Sequence, residues 1–340
     1  MAEPILIWGA GAIGGTIGAY WARAGIDVLL VDVVAEHVAA CRTTGLRIEG
    51  PVAAFTVTLP AATPDELEGR FGRIVLAVKA HHTRGAVAAL QPHLATDGFV
   101  LSAQNGLNEI EISRQVGEQR TMGALVNFGA DWLGPGRILY GNRGAVVVGE
   151  IDGEPRARTR EMLELLQVLE PDAFLTDNIW GVLWGKLAYG AMLFATALNM
   201  DSIADNFADP ERFPVWLKLG GEVMAVAAAR GVTPVGFDGF DPASFAGSAS
   251  DVAATRRSVA DLAAFNRGSA KTHSGVWRDL SVRKRRTEVD AQIAIITDLA
   301  AEVGTATPVM RRLVELVHDV EAGRRSQSSE TFNELLSVCL

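Results

Sequence analysis

Ile5-Leu6-Ile7-Trp8-Gly9-Ala10-Gly11-Ala12-Ile13-Gly14 is the stretch on which the reading of this chain depends. The aliphatic run Ile5–Trp8 reads as a buried strand, and Ile17, Tyr20, Trp21 and Ala24 then recur at helical spacing. Three glycines between a strand and a helix each have a physical job. Gly9 permits the tight turn, Gly11 lets backbone approach a pyrophosphate, and Gly14 lets the helix pack close to the strand. The amides of Gly9, Ala10, Gly11, Ala12, Ile13 and Gly14, with the partial positive charge of the helix start, then meet the phosphates. A lone glycine pattern is weak evidence. Here a second strand, Asp27–Val31, follows and ends at Asp32, which is 32 − 14 = 18 residues past the last glycine and suits a ribose-binding acid.

The pattern continues outward from there. Arg73–Val78 and Phe99–Leu101 are further short aliphatic runs, each followed by turn chemistry and a helical pattern, as in a parallel sheet covered on both faces. Thr121–Phe128 and Ile138–Val148, separated by Gly134-Pro135-Gly136, read as antiparallel additions to that sheet. Of the 35 glycines, 22 precede residue 154, and strand signals nearly vanish after Pro155. Helices are expected at about 179–200, 212–230, 251–265, 288–303 and 308–322, with Gly231 and Gly304 as C-terminal stops and Gly236–Ser250 as a loop. The reading is α/β: a Rossmann-type dinucleotide-binding domain over residues 1–177, then an all-helical domain over 178–340.

Composition mostly excludes. The 31 Lys and Arg against 40 Asp and Glu give a net charge of −9, which disfavours nucleic-acid and anionic-membrane partners. Two cysteines, Cys41 and Cys339, make neither a disulfide framework nor a cysteine-rich zinc site, and His81-His82 lacks further ligands at metal spacing, so no metal is expected. A cytoplasmic location follows from cysteine usage and from an N-terminus without a basic region or long apolar run. Ile179–Leu198 has spanning length, but Lys186 near its middle would cost about 2.5 kcal/mol or more in a bilayer, so a buried soluble helix is expected.

That lysine is the most informative residue of the second half. It is the only charge in the run and is flanked by Trp180, Trp184, Leu187 and Tyr189. Desolvation lowers the pKa of an ammonium and makes it a proton donor near neutrality; the alternative is a lysine that snorkels or pairs structurally. Asp32 bears on the cofactor, because a carboxylate there accepts from ribose hydroxyls and repels a 2′-phosphate, favouring NAD over NADP. Alternatively, Asp32 caps the helix starting near Glu36 and leaves the choice open.

With these residues in hand, the chain resembles the ketopantoate reductase (2-dehydropantoate 2-reductase) family. The resemblance is carried in order by the Gly9–Gly14 loop, Val78-Lys79-Ala80, Gln104-Asn105-Gly106-Leu107, Gly134-Pro135-Gly136-Arg137-Ile138, Trp184-Gly185-Lys186-Leu187 and Arg286-Thr287-Glu288-Val289-Asp290. It implies Lys186 as general acid and Glu288 as an acid beside the substrate hydroxyl or the lysine, also in reach of the cofactor. It implies Asn105 beside the nicotinamide and Lys79 at the junction of cofactor and substrate.

Three departures alter the expected pocket. The positions four and eight residues after Lys186, asparagines in the family, are Gly190 and Phe194; the serine pair before the glutamate becomes His273-Ser274-Gly275; and Asp32 stands where an arginine is usual. His273, Ser274 and Arg278 are therefore the candidates for the substrate carboxylate, with Gly190 lining the pocket, while Arg283–Arg286 reads mostly as a solvated face. The expectation is a homodimeric NAD(P)-dependent dehydrogenase of a 2-oxo or 2-hydroxy acid, with substrate between the two domains. Its rivals are an NADPH-dependent 2-dehydropantoate 2-reductase and a non-catalytic dinucleotide sensor.

Overall fold

The structure, a computed structural model, describes residues 3–246, 252–268 and 271–340, so part of the expected 236–250 loop, residues 247–250, lies outside the described residues. It divides into two compact units, Met1–Ile179 and Trp180–Leu340.

In the first unit, β1 (Ile5–Trp8), α1 (Ala12–Arg23), β2 (Val28–Val31), α2 (Ala35–Thr43), β3 (Leu46–Glu49), β4 (Phe55–Val57) and β5 (Ala61–Ala62) come first. They are followed by β6 (Phe71–Leu76), α3 (Thr83–Leu90), β7 (Leu94–Ser102), α4 (Asn108–Val116), β8 (Thr121–Val126), β9 (Gly129–Gly134), β10 (Arg137–Asn142), β11 (Val146–Glu150), α5 (Ala157–Gln167) and β12 (Phe174–Leu175). Eight strands form one sheet in the order β12-β11-β8-β7-β6-β1-β2-β5. Along β1, Ile5 and Ile7 enter one apolar cluster with Leu30 and Leu101, while Leu6 and Trp8 enter another with Val31 and Val100. Both faces are thus buried, which is why these strands are aliphatic throughout.

The late strands depart from expectation. Thr121–Val126 pairs parallel to β7, and only β11 runs antiparallel beside it. The Ile138 strand does not join this sheet: β10 pairs with β3 and β9 in a separate four-stranded sheet, β4-β3-β10-β9. The chain leaves at Asn127 and returns at Ala145, whose carbonyl accepts from the Asn127 amide at 2.9 Å, and Gly144 sits where a Cβ would strike the Asn127 carbonyl. That closure excludes the intervening hairpin from the large sheet.

The second unit is built from α6 (Ile179–Thr196), α7 (Ile203–Ala208), α8 (Phe213–Ala229), α9 (Val252–Arg267), α10 (Gly275–Ser281), α11 (Ile295–Glu302), α12 (Pro308–Glu321) and α13 (Ser329–Cys339). Gly231 and Gly304 follow α8 and α11 with φ of +72° and +66°, the left-handed stops the sequence places there. The expected 288–303 helix opens as a π-turn over Asp290–Ala294 before α11. Glu222 of α8 accepts from the Val309 and Met310 amides at 2.9 and 2.8 Å, capping α12 from a distance. α13 packs down through Phe332 and Leu335. No helix among the described residues is long and apolar enough to cross a membrane.

Candidate active site

The carboxyl ends of the central strands are held in line by cross-strand bonds: Gly9 N to Val31 O at 2.8 Å, Ala77 N to Trp8 O at 2.8 Å and Ala103 N to Leu76 O at 2.9 Å. The loops after β1, β2, β6 and β7 therefore open on one edge, the ligand edge of a parallel sheet. At Gly9, φ is +99° and a Cβ would lie 2.8 Å from the Val78 amide nitrogen, so conformation and space both require glycine. At Gly14 a Cβ would collide with the Gly9 carbonyl. Gly11 differs, because a Cβ there would meet nothing within 4 Å. No side chain caps α1. An open glycine before an uncapped helix start fits a pyrophosphate approaching the backbone.

Asp32 ends β2, and its carboxylate accepts from the Ala10 amide at 2.9 Å and the Val34 amide at 3.0 Å. It thereby ties the glycine loop to the entry of α2, which has no side-chain cap of its own. His37, buried on α2, was not singled out by its sequence context. Its Nδ1 accepts from the Gly136 amide at 2.9 Å, which leaves Nε2 to donate to the Ala10 carbonyl at 2.8 Å. The glycine loop is thus braced on both sides of Ala10.

Lys79 and Asn105 present exposed side chains on the loops after β6 and β7. A hydrogen-bond chain links the two loops. Gln104 donates to the Val78 carbonyl and the Thr83 hydroxyl, each at 2.8 Å, Thr83 donates to Asn108 at 2.9 Å, and Asn108 donates to the Asn105 carbonyl at 2.7 Å. Gln104, Thr83 and Asn108 are buried, so they fix backbone and leave Lys79 and Asn105 facing outward.

In the second unit, α6 carries Lys186 on a helix whose other residues near it are apolar and buried. Desolvation pulls the ammonium down to about 7; Asp238 opposes that shift, and Lys271 adds to it. Neither neighbour is evident from local sequence. Gly190, one turn on, has no atom within 4 Å of a would-be Cβ, and Phe194 is fully buried. Glu288 is buried beside Thr287, whose amide and hydroxyl donate to Glu321 at 2.7 and 2.6 Å.

The 273–278 segment is shaped largely by its own structure. Ser274 is the N-cap of α10, its hydroxyl accepting from the Trp277 amide at 3.1 Å, and the His273 ring lies on the Trp277 ring at 4.0 Å. Arg278 follows, half-buried on α10. The run after it is largely exposed, as expected of a solvated face, with Arg283 and Arg285 each pairing with the buried carboxylate of Asp279 at 2.9 Å. The His81 and His82 rings meet edge to face, ring centroids 4.1 Å apart and planes at 64°.

Two family models match most of the chain. The model described as ketopantoate reductase PanE/ApbA matches residues 5–153, and the one described as its C-terminal part matches 178–321. The 2-dehydropantoate 2-reductase of Archaeoglobus fulgidus is 28% identical over 94% of this chain and 99% of its own length. That of Mesorhizobium japonicum is 27% identical over 94% and 98%. Among solved structures, a ketopantoate reductase from Ralstonia eutropha is 26% identical, with a TM-score of 0.78 over 94% of this chain and 99% of that one. D-mandelate dehydrogenase with NADH and anilino(oxo)acetate, 24% identical, shares the fold with a TM-score of 0.81 over 94% and 99%. The chain is an NAD(P)-dependent oxidoreductase acting on a CH–OH/ketone pair. A Rossmann-type sheet with an open glycine loop, followed by a helical unit carrying a desolvated lysine, places this chain in the ketopantoate reductase PanE/ApbA family.

Proposed function

We propose that this protein interconverts a 2-oxo acid and the matching 2-hydroxy acid, with Lys186 as the proton donor or acceptor and NAD as the favoured cofactor. The bound nicotinamide supplies or takes up a hydride. The observation that carries the reading is the desolvated Lys186, lowered to about 7. Below that pH the lysine is an ammonium able to protonate the oxygen of a reduced ketone; above it, the neutral amine can take the hydroxyl proton in oxidation. Gly9–Gly14 would hold the pyrophosphate and Asp32 the adenosine ribose, where its charge disfavours a 2′-phosphate. Asn105 and Lys79 would flank the nicotinamide, and Glu288 would orient the substrate hydroxyl or the lysine. Arg278 is the carboxylate partner best suited by chemistry, since a guanidinium can hold a carboxylate bidentately, with His273 and Ser274 beside it. The open space at Gly190 favours a substrate bulkier than ketopantoate.

The second reading is NADPH-dependent reduction of 2-dehydropantoate, favoured by the names of the curated relatives. Purified protein assayed with ketopantoate and with 2-oxo acids of larger side chains, each with NADH and NADPH, separates the two by kcat/KM. Lys186→Ala should lower turnover on the best substrate by about 10²- to 10⁴-fold. A variant with nearly native kcat would remove Lys186 from the chemistry.

A further inference from the structure

The loop between α8 and α9 is clamped onto α6 at three successive turns of that helix. Val235 donates its amide to the Gly181 carbonyl at 2.9 Å. A Cβ on Gly185 would collide with the Val235 carbonyl, so the residue before Lys186 is glycine because loop backbone lies against it. Phe237 and Phe240 pack on Tyr189, with ring centroids 6.1 and 5.8 Å away. Contacts at 181, 185 and 189 run along one face of α6 at a spacing of one turn.

What the clamp presents is a two-residue reverse turn. Phe237 and Phe240 exchange backbone hydrogen bonds at 3.2 and 2.8 Å, and between them Asp238 and Gly239 both have positive φ, +46° and +81°. This is the conformation that favours Asp-Gly or Asn-Gly. The flanking rings are buried, so the tip is held by both side-chain packing and backbone pairing. Asp238 acts on Lys186 as a negative charge and Lys271, in the segment before α10, as a positive one, while Tyr189 on α6 feels the same Asp238 charge.

We propose that Asp238 is a positioning residue for Lys186: the clamped Phe237–Phe240 turn fixes a negative charge near the ammonium, keeping it a charged proton donor despite burial and Lys271. The proposal rests on the reading of Lys186 given above. In reduction the Nζ–H bond breaks as the product O–H bond forms, and the neutral lysine takes its proton back from water. Asp238 transfers nothing.

The test is the pH dependence of kcat/KM in both directions for Asp238→Asn, which keeps a residue suited to positive φ while deleting the charge. Removing the opposite charge that acts on the ammonium should move the Lys186 limb down, by about one pH unit. From a limb near 7, the protonated fraction at pH 8 then falls about tenfold, so reduction there drops by that factor. At pH 6 the neutral fraction rises about fivefold, so oxidation there increases. Opposite effects in the two directions would not follow from a structural lesion. Asp238→Gly, which also keeps the turn, should shift the limb equally and reports if the asparagine variant folds poorly. Limbs at their native pH in both variants overturn the proposal. If Lys186→Ala is inactive while those limbs stay put, only the role of Asp238 fails; if Lys186→Ala remains active, the reading of the lysine fails first.

Discussion

Glu109→Gln should stabilise this protein, and the gain should grow with pH. Glu109 stands in the first turn of α4, buried between that helix and β8, where Gly123 leaves room for its side chain. Desolvation dominates and raises its carboxyl from 4.5 to about 7, and among the described residues neither carboxyl oxygen has a hydrogen-bond partner to hold the charged form. A carboxyl raised in the folded state contributes stability below its unfolded pKa and loses it as pH climbs toward the folded value. Between pH 4.5 and 7 the unfolded chain releases a proton that the folded chain retains. With those two values, the penalty relative to a side chain that cannot ionise is about 1 kcal/mol at pH 5 and about 3 kcal/mol at pH 8. The glutamine variant has no such titration, so its advantage should widen by about 2 kcal/mol between the two pH values. Urea unfolding followed by tryptophan fluorescence measures both, and any constant effect of repacking cancels in the difference. An advantage equal at pH 5 and pH 8 would show that Glu109 does not hold its proton near neutrality, and would refute the reasoning.

Two glycines of one loop should respond in opposite ways. Gly11→Ala meets open space, so its unfolding should stay native while its affinity for NADH falls, whereas Gly14→Ala, driven against the Gly9 carbonyl, should lose about 1–3 kcal/mol of stability. Calorimetry with and without NADH reads both, and a Gly11 variant that binds normally would remove the pyrophosphate from that position. Asp32→Asn puts an amide NH₂ opposite either the Ala10 or the Val34 amide, so affinity for both cofactors should drop, but the preference for NADH over NADPH should narrow by about tenfold as the charge is lost. An unchanged ratio of the two dissociation constants would show that Asp32 braces the loop without selecting the cofactor.

The glycine loop was legible because its constraints are local: spacing between a strand and a helix fixes which residues must be small, and Gly9 and Gly14 meet those limits. Lys186 was legible for the opposite reason, a lone charge in an apolar run. The second sheet was not. β3 alternates buried Leu46 and Ile48 with the charged Arg47 and Glu49, a half-exposed strand that pairs with nearby β4 on one side and with β10, some ninety residues on, on the other. Periodicity marks a strand but does not say which sheet receives it.

Glu109 and Asp238, one in each unit, show where local reading runs out. In Asn108-Glu109-Ile110-Glu111, an acid in the first turn of a helix reads as a surface charge favoured by the helix dipole; only the packing of α4 on β8, opposite a glycine, turns it inward. Phe237-Asp238-Gly239-Phe240 reads as a turn and is one, yet its charge acquires meaning only because the loop docks on α6. The docking nevertheless leaves a mark in the sequence, Gly185. A glycine inside an apolar helix, beside the one charged residue, costs about 1 kcal/mol in helix propensity and needs a reason. Here the reason is the Val235 backbone, so the residue that weakens the helix is the one that admits the loop carrying Asp238 to the lysine.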